Sequence, residues 1–481
     1  MDVQRIYFSL PIFMQEWVLS HYAHHLDRMY YGPDFARWVE YFTVSERLPR
    51  ERQLDNQRAA LQRIFSLAFA GVPWFRELAA RTGLIARECE PLEVLRRLPL
   101  MEKDPIRHDP WRFVREDYPR KLLWLEKTSG TTGNALRIYW SREMLPWWWA
   151  LQEVRVRRWA GVGQELPRAT VGGRPVVRGE THHPPYWRYN RRWRQLYMSS
   201  YHISPTTAPA YIEALQRYGS QWVTGYGSAI ALLGEYLQDH PTELPIHAAV
   251  TSGDTVTPYQ RQAIERGFRC RMFDNYGSAE ACGLITECHC GRMHLQPEAG
   301  FLEILDEQGE PCPPEVDGEF IFTSLGNDAM PLIRYRTGDY GCWSSEQYCP
   351  CGRESLLVKH ITGRMDDYLE LPDGRRIGRL STAMKKAPSV RQAQLVQDAP
   401  NHAWLLLVPE SYYRDQDGEA VQEDILSRIG EKAIQIEVRT VPEVLPTPVG
   451  KYVLVRRILH DPVLQERYRA LITREHAGAT R

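Results

Sequence analysis

Apolar side chains recur at every third or fourth position through the first quarter of the chain. The stretches HYAHHLDRMYYGPDFARWVEYF and RQLDNQRAALQRIFSLAFAGVPWFRELAARTG show this spacing, which is typical of helices that bury one face. The GVP triplet at 71–73 ends one helix before the next begins. Residues 1–120 are therefore predicted to be mostly helical. We interpret the histidines of HYAHH as surface or partly buried helix residues, because no carboxylate or cysteine partner lies nearby.

The pattern changes after residue 122. Short β-rich runs (ATVGG, QWVTGYG, AAVTSGD) alternate with helical stretches (APAYIEALQRYG, TPYQRQAIERG) as far as about residue 364. This alternation favours an α/β layered domain. The run FLEILDEQGEPCPPEVDGEFIFTSL predicts antiparallel hairpins with DEQGE and EVDGE as turns.

A smaller α+β segment follows. YLELPDGRRIG predicts a hairpin, AQLVQ and AWLLLVPE predict strands, and QEDILSRIGEKA predicts a helix. The expected fold class is α/β, with a large layered N-terminal domain, helical at its start and with β-rich subdomains, and a small mobile α+β C-terminal domain. The predicted boundaries are 1–364 and 365–481.

Composition narrows the function classes. Lysine plus arginine and aspartate plus glutamate both total 60 in the 481 residues, so the net charge is zero. This balance gives no support for a nucleic-acid or membrane-surface role. No apolar run is long enough to span a bilayer, and the N-terminus does not read as a secretory signal. We expect a cytoplasmic protein whose nine cysteines are thiols or metal ligands.

The run TSGTTGN, Thr128 to Asn134, follows the apolar run LLWL. Its two glycines let the backbone bring N–H groups close to an anion, and its four hydroxyl-bearing residues add donors. A polyphosphate fits such a loop, although the run lacks the Lys-Ser/Thr pair of the common NTPase loop. A polar surface turn is the alternative.

Two later clusters offer complementary chemistry. In FDNYGSAEACG, Tyr276 can stack on a purine, and Glu280 is a suitable magnesium ligand near phosphates. In PLIRYRTGDYG, Asp339 can accept hydrogen bonds from two ribose hydroxyls. Taken singly, each cluster is also compatible with an ordinary turn that carries a solvated acid.

The order of the motifs is more specific than any one of them. TSGTTG, YGSAE, YRTGD, GRMDD and a late Gly-Lys resemble the signature series of the adenylate-forming superfamily, which contains acyl-CoA synthetases and nonribosomal adenylation domains. LPLMEKDPIR, GYGSAI, SGDTVTP and RMFDNYGSAE look like its phenylacetate–CoA ligase-like branch, which includes capsule-biosynthesis relatives. The resemblance runs from about residue 60 to residue 457.

The resemblance implies a role for each motif in an enzyme that uses ATP and Mg²⁺. Glu280 would hold the magnesium, Lys451 would neutralise charge at the α-phosphate, and Arg364 would lie near the phosphates. Asp366 would be the hinge of the small domain. The implied nucleotide-binding residues are Thr128, Ser129, Gly130, Thr131, Thr132, Gly133, Gly253, Asp254, Asn275, Tyr276, Gly277, Ser278 and Asp339.

The chain departs from the family pattern at two places. Asn134 stands where a lysine is often found, and the terminal loop reads PVGK where Ser-Gly-Lys is common. Neither change removes an essential group, although both are compatible with a weaker or specialised enzyme.

The acid itself is less well defined. Candidate acyl-pocket residues are Tyr226, Gly227, Ser228, Ala279 and Cys282. Their small and aromatic side chains suggest an aryl or small apolar acid. The Arg-, His- and Trp-rich stretch RPVVRGETHHPPYWRYNRRWRQLYMSSYHIS could bind an acidic substrate, the phosphates of coenzyme A or a carrier protein, or form a solvated surface.

Two CxCGR segments predict a structural zinc site. Cys288, Cys290, Cys349 and Cys351 supply four thiolates, which suit tetrahedral Zn²⁺, and His294 is a credible substitute ligand. Four unrelated thiols are the alternative.

The expected function is ATP-dependent activation of a carboxylic acid, followed by transfer to a thiol, with coenzyme A ahead of a carrier-protein thiol. The alternatives are amide or ester formation in capsule or secondary-metabolite assembly, and a non-catalytic nucleotide-binding scaffold. No nucleic-acid or membrane partner is expected, and a homodimer is left open.

Overall fold

The computed structural model describes residues 3–83, 90–127, 136–174, 176–253, 256, 258–361, 369–377, 380, 383, 387, 389–430, 433–445, 454–459 and 461–473. The helices within these ranges are α1 (Val3–Ser9), α2 (Ile12–Tyr30), α3 (Pro33–Ser45), α4 (Arg50–Gly71), α5 (Pro73–Thr82), α6 (Pro91–Arg97), α7 (Lys103–His108), α8 (Met144–Gln152), α9 (Ala208–Arg217), α10 (Gly227–Asp239), α11 (Pro258–Phe268), α12 (Asp415–Ile429) and α13 (Pro462–Ile472).

The strands are shorter than most of the helices. They are β1 (Trp124–Lys127), β2 (Arg137–Trp140), β3 (Arg168–Gly172), β4 (Trp187–Asn190), β5 (Gln195–Ser199), β6 (Trp222–Gly225), β7 (Ala248–Ser252), β8 (Arg271–Gly277), β9 (Leu284–Glu287), β10 (Met293–Leu295), β11 (Gly300–Leu305), β12 (Gly318–Ser324), β13 (Tyr335–Trp343), β14 (Leu357–Ile361), β15 (Leu369–Glu370), β16 (Arg376–Ile377), β17 (Val390–Ala399), β18 (His402–Pro409), β19 (Gln435–Thr440) and β20 (Val455–Arg457).

The helical N-terminal region agrees with the prediction from apolar spacing. In α4, Leu61, Ile64, Phe65 and Ala68 are fully buried, so one face of the helix joins the largest hydrophobic core. Helix α5 begins at Pro73, as the GVP break predicts. The three histidines of HYAHH are exposed on α2, and none joins a three-ligand cluster within the described part of the chain.

One large sheet organises the middle of the chain. Its twelve strands run in the order β11-β12-β13-β14-β10-β9-β8-β7-β6-β3-β5-β4. Strands β5, β3, β6, β7 and β8 are mutually parallel, whereas β9 pairs antiparallel with β8 and begins the antiparallel half. Helices α9, α10 and α11 cover one face of the parallel half with an apolar core of their own. This layered arrangement confirms the predicted α/β fold class.

The antiparallel half refines the predicted hairpins. Strands β11 and β12 pair antiparallel, as the alternation of FLEIL and GEFIFTS predicts. The DEQGE segment closes a tight turn of its own, because Leu305 forms an antiparallel bridge with Pro311 and the Asp306 N–H donates to the Glu310 carbonyl. The EVDGE segment lies at the end of the connection and enters β12 at Gly318.

The C-terminal segment has its own cores. A four-stranded sheet in the order β19-β18-β17-β20 packs with α12 and α13, and the YLELPDGRRIG hairpin appears as β15 and β16. Arg375 donates to the carbonyls of Tyr201 and Ile429, and the Tyr201 ring joins this core. The predicted boundary at 364/365 falls outside the described residues and stays a prediction.

A buried ionic network ties the N-terminal helices to the large sheet. Arg155, which is 1% exposed, donates to the carbonyl of Phe42, to the hydroxyl of Ser45 and to Glu298 at 2.6 Å. Glu46 lies 3.5 Å from the same guanidinium. Because an unpaired buried charge would cost several kcal/mol, these partners fix α3 against the loop before β11.

Among the described helices, none has the combination of length and apolar character that crossing a bilayer requires.

His202 occupies a buried position where the large sheet meets the C-terminal segment. Its Nδ1 lies 2.8 Å from the Ser199 hydroxyl, and its Nε2 lies 3.1 Å from the carbonyl of Arg178. Burial, with a further contribution from Arg375, lowers the pKa of His202 to about 4. The neutral imidazole is therefore the form that the fold stabilises.

A pH titration of stability tests this. The neutral His202 contributes fully to the free energy of unfolding above pH 6.5. This contribution, about 3 kcal/mol, is lost as the pH falls towards 4, because the unfolded chain binds the proton more tightly. We expect the urea midpoint of His202→Gln to fall less between pH 7 and pH 4.5 than that of the unmodified protein, and exposed His24→Gln to behave like the unmodified protein. An equal fall of the urea midpoint in the unmodified protein and in both variants would contradict the contribution assigned to His202.

Candidate functional site

The carboxyl ends of the parallel strands meet at one edge of the sheet. Strand β6 leads into Tyr226 and helix α10, β7 leads into Gly253, and β8 ends at Gly277. In open parallel sheets, ligands bind at this edge. The structure therefore brings the GYGSAI, SGDTVTP and FDNYGSAE motifs to neighbouring strand ends.

Gly225 shows why the turn after β6 needs glycine. Its φ is +132°, and a Cβ at this position would lie 1.9 Å from the carbonyl oxygen of Val171 on β3. Any side chain would separate β6 from β3. The turn can then place Tyr226 as the residue that precedes α10, where its hydroxyl lies close to Gly173.

Tyr276 and Asp339 are in direct contact. The Tyr276 hydroxyl donates a hydrogen bond of 2.8 Å to the Asp339 carboxylate. The Tyr276 ring stacks on Phe322 at 6.1 Å and meets Phe320 edge-on. Burial, reinforced by Asp339, raises the pKa of Tyr276, so the hydroxyl stays protonated and can donate.

Glu280 is held by a residue that the sequence reasoning did not single out. The hydroxyl of the fully buried Tyr335 donates a hydrogen bond of 2.7 Å to the Glu280 carboxylate, which is 7% exposed. The Lys103 ammonium lies 5.8 Å from the Tyr335 ring centroid and donates to the carbonyl of Thr337. Tyr335 lies in the YRTGD motif and Lys103 lies in the LPLMEKDPIR segment. Their membership of these motifs was the only sequence signal that could have identified them.

A second layer of polar contacts supports β8. Asn275 donates to the carbonyl of Thr251, and the Thr251 hydroxyl donates to Asp274 at 2.8 Å. Burial raises the pKa of Asp274 to about 6. The backbone N–H of Asp274 donates to Glu287, which also pairs with Arg261 at 2.7 Å. These contacts fix the direction in which Asn275 and Tyr276 leave the strand.

The candidate acyl-pocket residues fall into two neighbouring groups. Tyr226, Gly227 and Ser228 begin α10, whereas Ala279 and Cys282 follow β8. Cys282 is fully buried, and burial, with Glu280 adding to it, raises the pKa of its thiol. A Cβ at Gly300 would lie 1.9 Å from the Cys282 carbonyl, so this segment packs tightly against β11.

Several predicted site residues lie outside the described part of the chain. These are the loop residues Thr128, Ser129, Gly130, Thr131, Thr132 and Gly133, together with Asn134, Asp254, Arg364, Asp366 and Lys451. Strands β1 and β2, which flank the TSGTTGN loop in sequence, pair antiparallel with Lys127 opposite Arg137.

The cysteine cluster differs from its prediction in one ligand. Potential ligand atoms of Cys288, His294, Cys349 and Cys351 all lie within 4.8 Å of one another. Cys290, expected as the fourth thiolate, is not in this group, and the substitute His294 takes its place. The reason is local, because the Cys290 backbone N–H turns towards the Cys288 sulfur while β10 carries His294 into the core.

His294 is well oriented for a ligand. Its Nδ1 lies 2.9 Å from the Ser355 hydroxyl, and its Nε2 lies 3.5 Å from the Cys351 sulfur. The Trp159 ring packs edge-on against the imidazole, and Arg353 lies 4.1 Å from the Trp159 ring centroid. A hydrogen-bonded second nitrogen is the usual arrangement for a metal-bound histidine.

Comparisons with known proteins agree with the motifs. The family profile described as CapK C-terminal domain matches residues 369–457. The chain is 26% identical over 362 residues to protein CapK of Staphylococcus aureus, covering 74% of this chain and 78% of that protein. It is 27% identical over 342 residues to phenylacetate-coenzyme A ligase of Thermus thermophilus, covering 67% and 73% of the two chains.

A solved structure shares the fold. The crystal structure of 2-hydroxyisobutyryl-CoA ligase in complex with 2-HIB-AMP and CoA superimposes with a TM-score of 0.55 at 17% identity, covering 88% of this chain and 94% of that one. The chain is therefore similar in sequence to CapK and to phenylacetate-coenzyme A ligases, and it shares its fold with a CoA ligase.

Proposed function

We propose that this chain activates a carboxylic acid with ATP to an acyl-adenylate and then transfers the acyl group to the thiol of coenzyme A. The observation that carries the proposal is the 2.8 Å hydrogen bond between Tyr276 and Asp339. It joins the segment expected to contact adenine to the segment expected to hold the ribose. The relatives named phenylacetate-coenzyme A ligase support the same reaction class.

The first half-reaction requires a site that tolerates crowded negative charge. A carboxylate attacks the α-phosphorus of ATP, the bond to pyrophosphate breaks, and pyrophosphate leaves with the electron pair. Fixed donors and positive charge must offset the approach of two anions. In this proposal the TSGTTG loop holds the outer phosphates, and Lys451 with Arg364 neutralises charge around the α-phosphate.

Glu280 has the role of magnesium ligand. Mg²⁺ accompanies ATP and prefers carboxylate and phosphate oxygens. One Glu280 oxygen accepts from Tyr335, which orients the carboxylate and leaves its second oxygen for a ligand. Asp339 would accept hydrogen bonds from the ribose hydroxyls, with Tyr276 fixing its position. Adenine would contact the side of Tyr276 that faces away from Phe322, next to Gly253 and Asp254.

The acid is proposed to be aryl or small and apolar, bound between the start of α10 and the segment after β8. The thiol acceptor is proposed to be coenzyme A, with a carrier-protein thiol as the variant. Amide or ester formation is the second candidate function, because one relative is a CapK protein rather than a named ligase. A cytoplasmic location and the absence of a nucleic-acid partner remain part of the proposal, and a homodimer stays open.

The small domain is proposed to swing about Asp366 between the two half-reactions. Residues 369–457 match the CapK C-terminal profile and have their own hydrophobic core. A segment with its own core can move as a unit.

We also propose that Cys288, His294, Cys349 and Cys351 hold a structural Zn²⁺. Three thiolates and one imidazole are a common tetrahedral set, and a site filled by four protein ligands leaves no open position for catalysis. The zinc would tie β9 and β10 to the loop before β14, next to Trp159 and the Glu46 network.

Acid-dependent ATP–pyrophosphate exchange over a panel of carboxylic acids, followed by thioester detection with coenzyme A, tests the function. We expect exchange with at least one aryl or small apolar acid and thioester formation from the same acid. Exchange without thioester would favour the amide or ester variant, and no exchange with any acid would favour a scaffold.

Lys451→Ala should lower exchange by a factor of about 100 or more and affect thioester formation from preformed adenylate much less.

Two substitutions test the Glu280 assignment. Glu280→Gln should lower exchange at least ~100-fold, because the carboxylate proposed to bind Mg²⁺ is lost. Tyr335→Phe should lower it about 10-fold, because the carboxylate keeps its charge and loses only one donor. Exposed Glu307→Gln is the matched control and should retain full exchange. A fully active, folded Glu280→Gln protein would rule out the assignment.

The zinc proposal has a control within the same motif. Cys349→Ser should remove one zinc equivalent, and both this substitution and chelation of the unmodified protein should lower the Tm by at least ~5 °C. Cys290→Ser should keep both the metal and the Tm, since Cys290 lies outside the four-residue group. Elemental analysis and thermal melts give both readouts. Loss of the zinc equivalent from Cys290→Ser instead would restore the four-thiolate assignment.

A further inference from the structure

Three potential metal ligands form a row across adjacent strands at the far end of the large sheet. Cys342 on β13 is paired directly with His360 on β14. Asp317 immediately precedes β12, where Gly318 is paired with Gly341, so Asp317 continues the same row on the other side of Cys342. Residues that are directly opposite in antiparallel strands project to the same face.

The side chains of this row converge. His360 Nε2 lies 2.8 Å from the Asp317 carboxylate, and the Cys342 sulfur lies 3.6 Å from His360 Nδ1 and 3.9 Å from His360 Nε2. One ligand atom from each residue lies within 4.8 Å of the other two. A bulge between Cys342 and Trp343 interrupts the register there, and bulges re-aim side chains next to functional sites.

We propose that Asp317, Cys342 and His360 bind a divalent transition metal, with Zn²⁺ as the expected ion. Bonds of about 2.0–2.3 Å from one ion to a thiolate, an imidazole and a carboxylate place the ligand atoms about 3–4 Å apart. The observed sulfur–nitrogen separations fall within this range. The shorter Asp317–His360 separation opens slightly when the hydrogen bond is replaced by two bonds to the ion.

The mixture of donors selects the class of metal. A thiolate and an imidazole favour Zn²⁺, Co²⁺ or Ni²⁺ over Mg²⁺ or Ca²⁺, which prefer oxygen ligands alone. Three protein ligands leave a fourth position for water or an external ligand. Asp317 and His360 side chains are about half exposed (54% and 48%), whereas Cys342 is fully buried, so the ion enters from the solvent side.

Neighbouring charged residues do not complete a larger site. Glu315 is paired with Lys359 and accepts from the backbone N–H of Ser345. The sulfur of Cys312 contacts the Asp317 carbonyl at 3.7 Å and is not part of the three-residue group. The site is therefore distinct from the cluster of Cys288, which draws its ligands from other segments.

The position of the row connects it to the proposed catalytic cycle. Cys342 follows Asp339 on β13 by three residues, and His360 is the penultimate residue of β14, a few residues before Asp366. A bound ion would cross-link β13, β14 and the residue before β12 where the chain leaves the large sheet for the C-terminal segment. The binding claim itself does not depend on the proposed ligase activity.

Metal stoichiometry tests the site in the full-length protein. After chelation and reconstitution with Zn²⁺, elemental analysis should find one equivalent fewer in Cys342→Ser and in His360→Ala than in the unmodified protein. The control Cys312→Ser should match the unmodified protein. Cys349→Ser should instead lose the zinc equivalent of the Cys288, His294, Cys349 and Cys351 cluster. The double variant Cys349→Ser, His360→Ala should therefore lose two equivalents.

Cobalt provides a second readout. Co²⁺ added to the chelated protein should give a thiolate-to-cobalt absorption band whose intensity falls in Cys342→Ser and not in Cys312→Ser. Asp317→Asn, at an exposed position outside the strands, serves as a further variant should either sheet substitution fail to fold. Zinc content and cobalt band equal to those of the unmodified protein in folded His360→Ala and Asp317→Asn would overturn the proposal, whether or not the Cys349 cluster binds zinc.

Discussion

The hydrogen bond between Tyr276 and Asp339 joins the two halves of the large sheet. Tyr276 lies on β8, which is parallel to β7 on one side and antiparallel to β9 on the other. Asp339 lies on β13, deep in the antiparallel half. A hydrogen bond to a charged group contributes about 1.5–3 kcal/mol, and this one also sets the distance between the two motifs. The parallel strands alone would present Tyr276 without Asp339, which is only half of the candidate site.

Local sequence was enough to predict most of the described helices and strands. Apolar spacing predicted α4 and the helices around it, and strand–helix alternation predicted the parallel half of the sheet. Gly225 belongs to a recognised motif, and its required backbone geometry explains why. The partners of these residues were harder to predict, because Tyr335 on β13 contacts Glu280, in the turn after β8, across 55 residues of sequence. Spacing along one strand contains no information about such long-range contacts.

The cysteine cluster and the Asp317 row illustrate the same limit in opposite ways. The two CxCGR segments predicted that the two regions meet, and His294 was named as a substitute ligand, but the choice between His294 and Cys290 depends on which side chain β10 carries inwards. Asp317, Cys342 and His360 belong to no sequence motif. They converge only because three antiparallel strands are aligned in one row, and so they became visible only once the strand pairing was known.

The contacts of the C-terminal segment are compatible with the proposed change of its position. Its strands and helices bury their apolar residues chiefly against each other, with Tyr201 of the larger part joining one of the two cores. Its described contacts with the larger part include hydrogen bonds from Arg375 to the Tyr201 carbonyl and packing around the Tyr201 ring. The Tyr201 hydroxyl in turn donates to the carbonyl of Gly173, next to Tyr226. Because hydrogen bonds to carbonyls exchange with water at small net cost, breaking these contacts would cost much less free energy than breaking the buried Arg155 network, which agrees with the proposed movement.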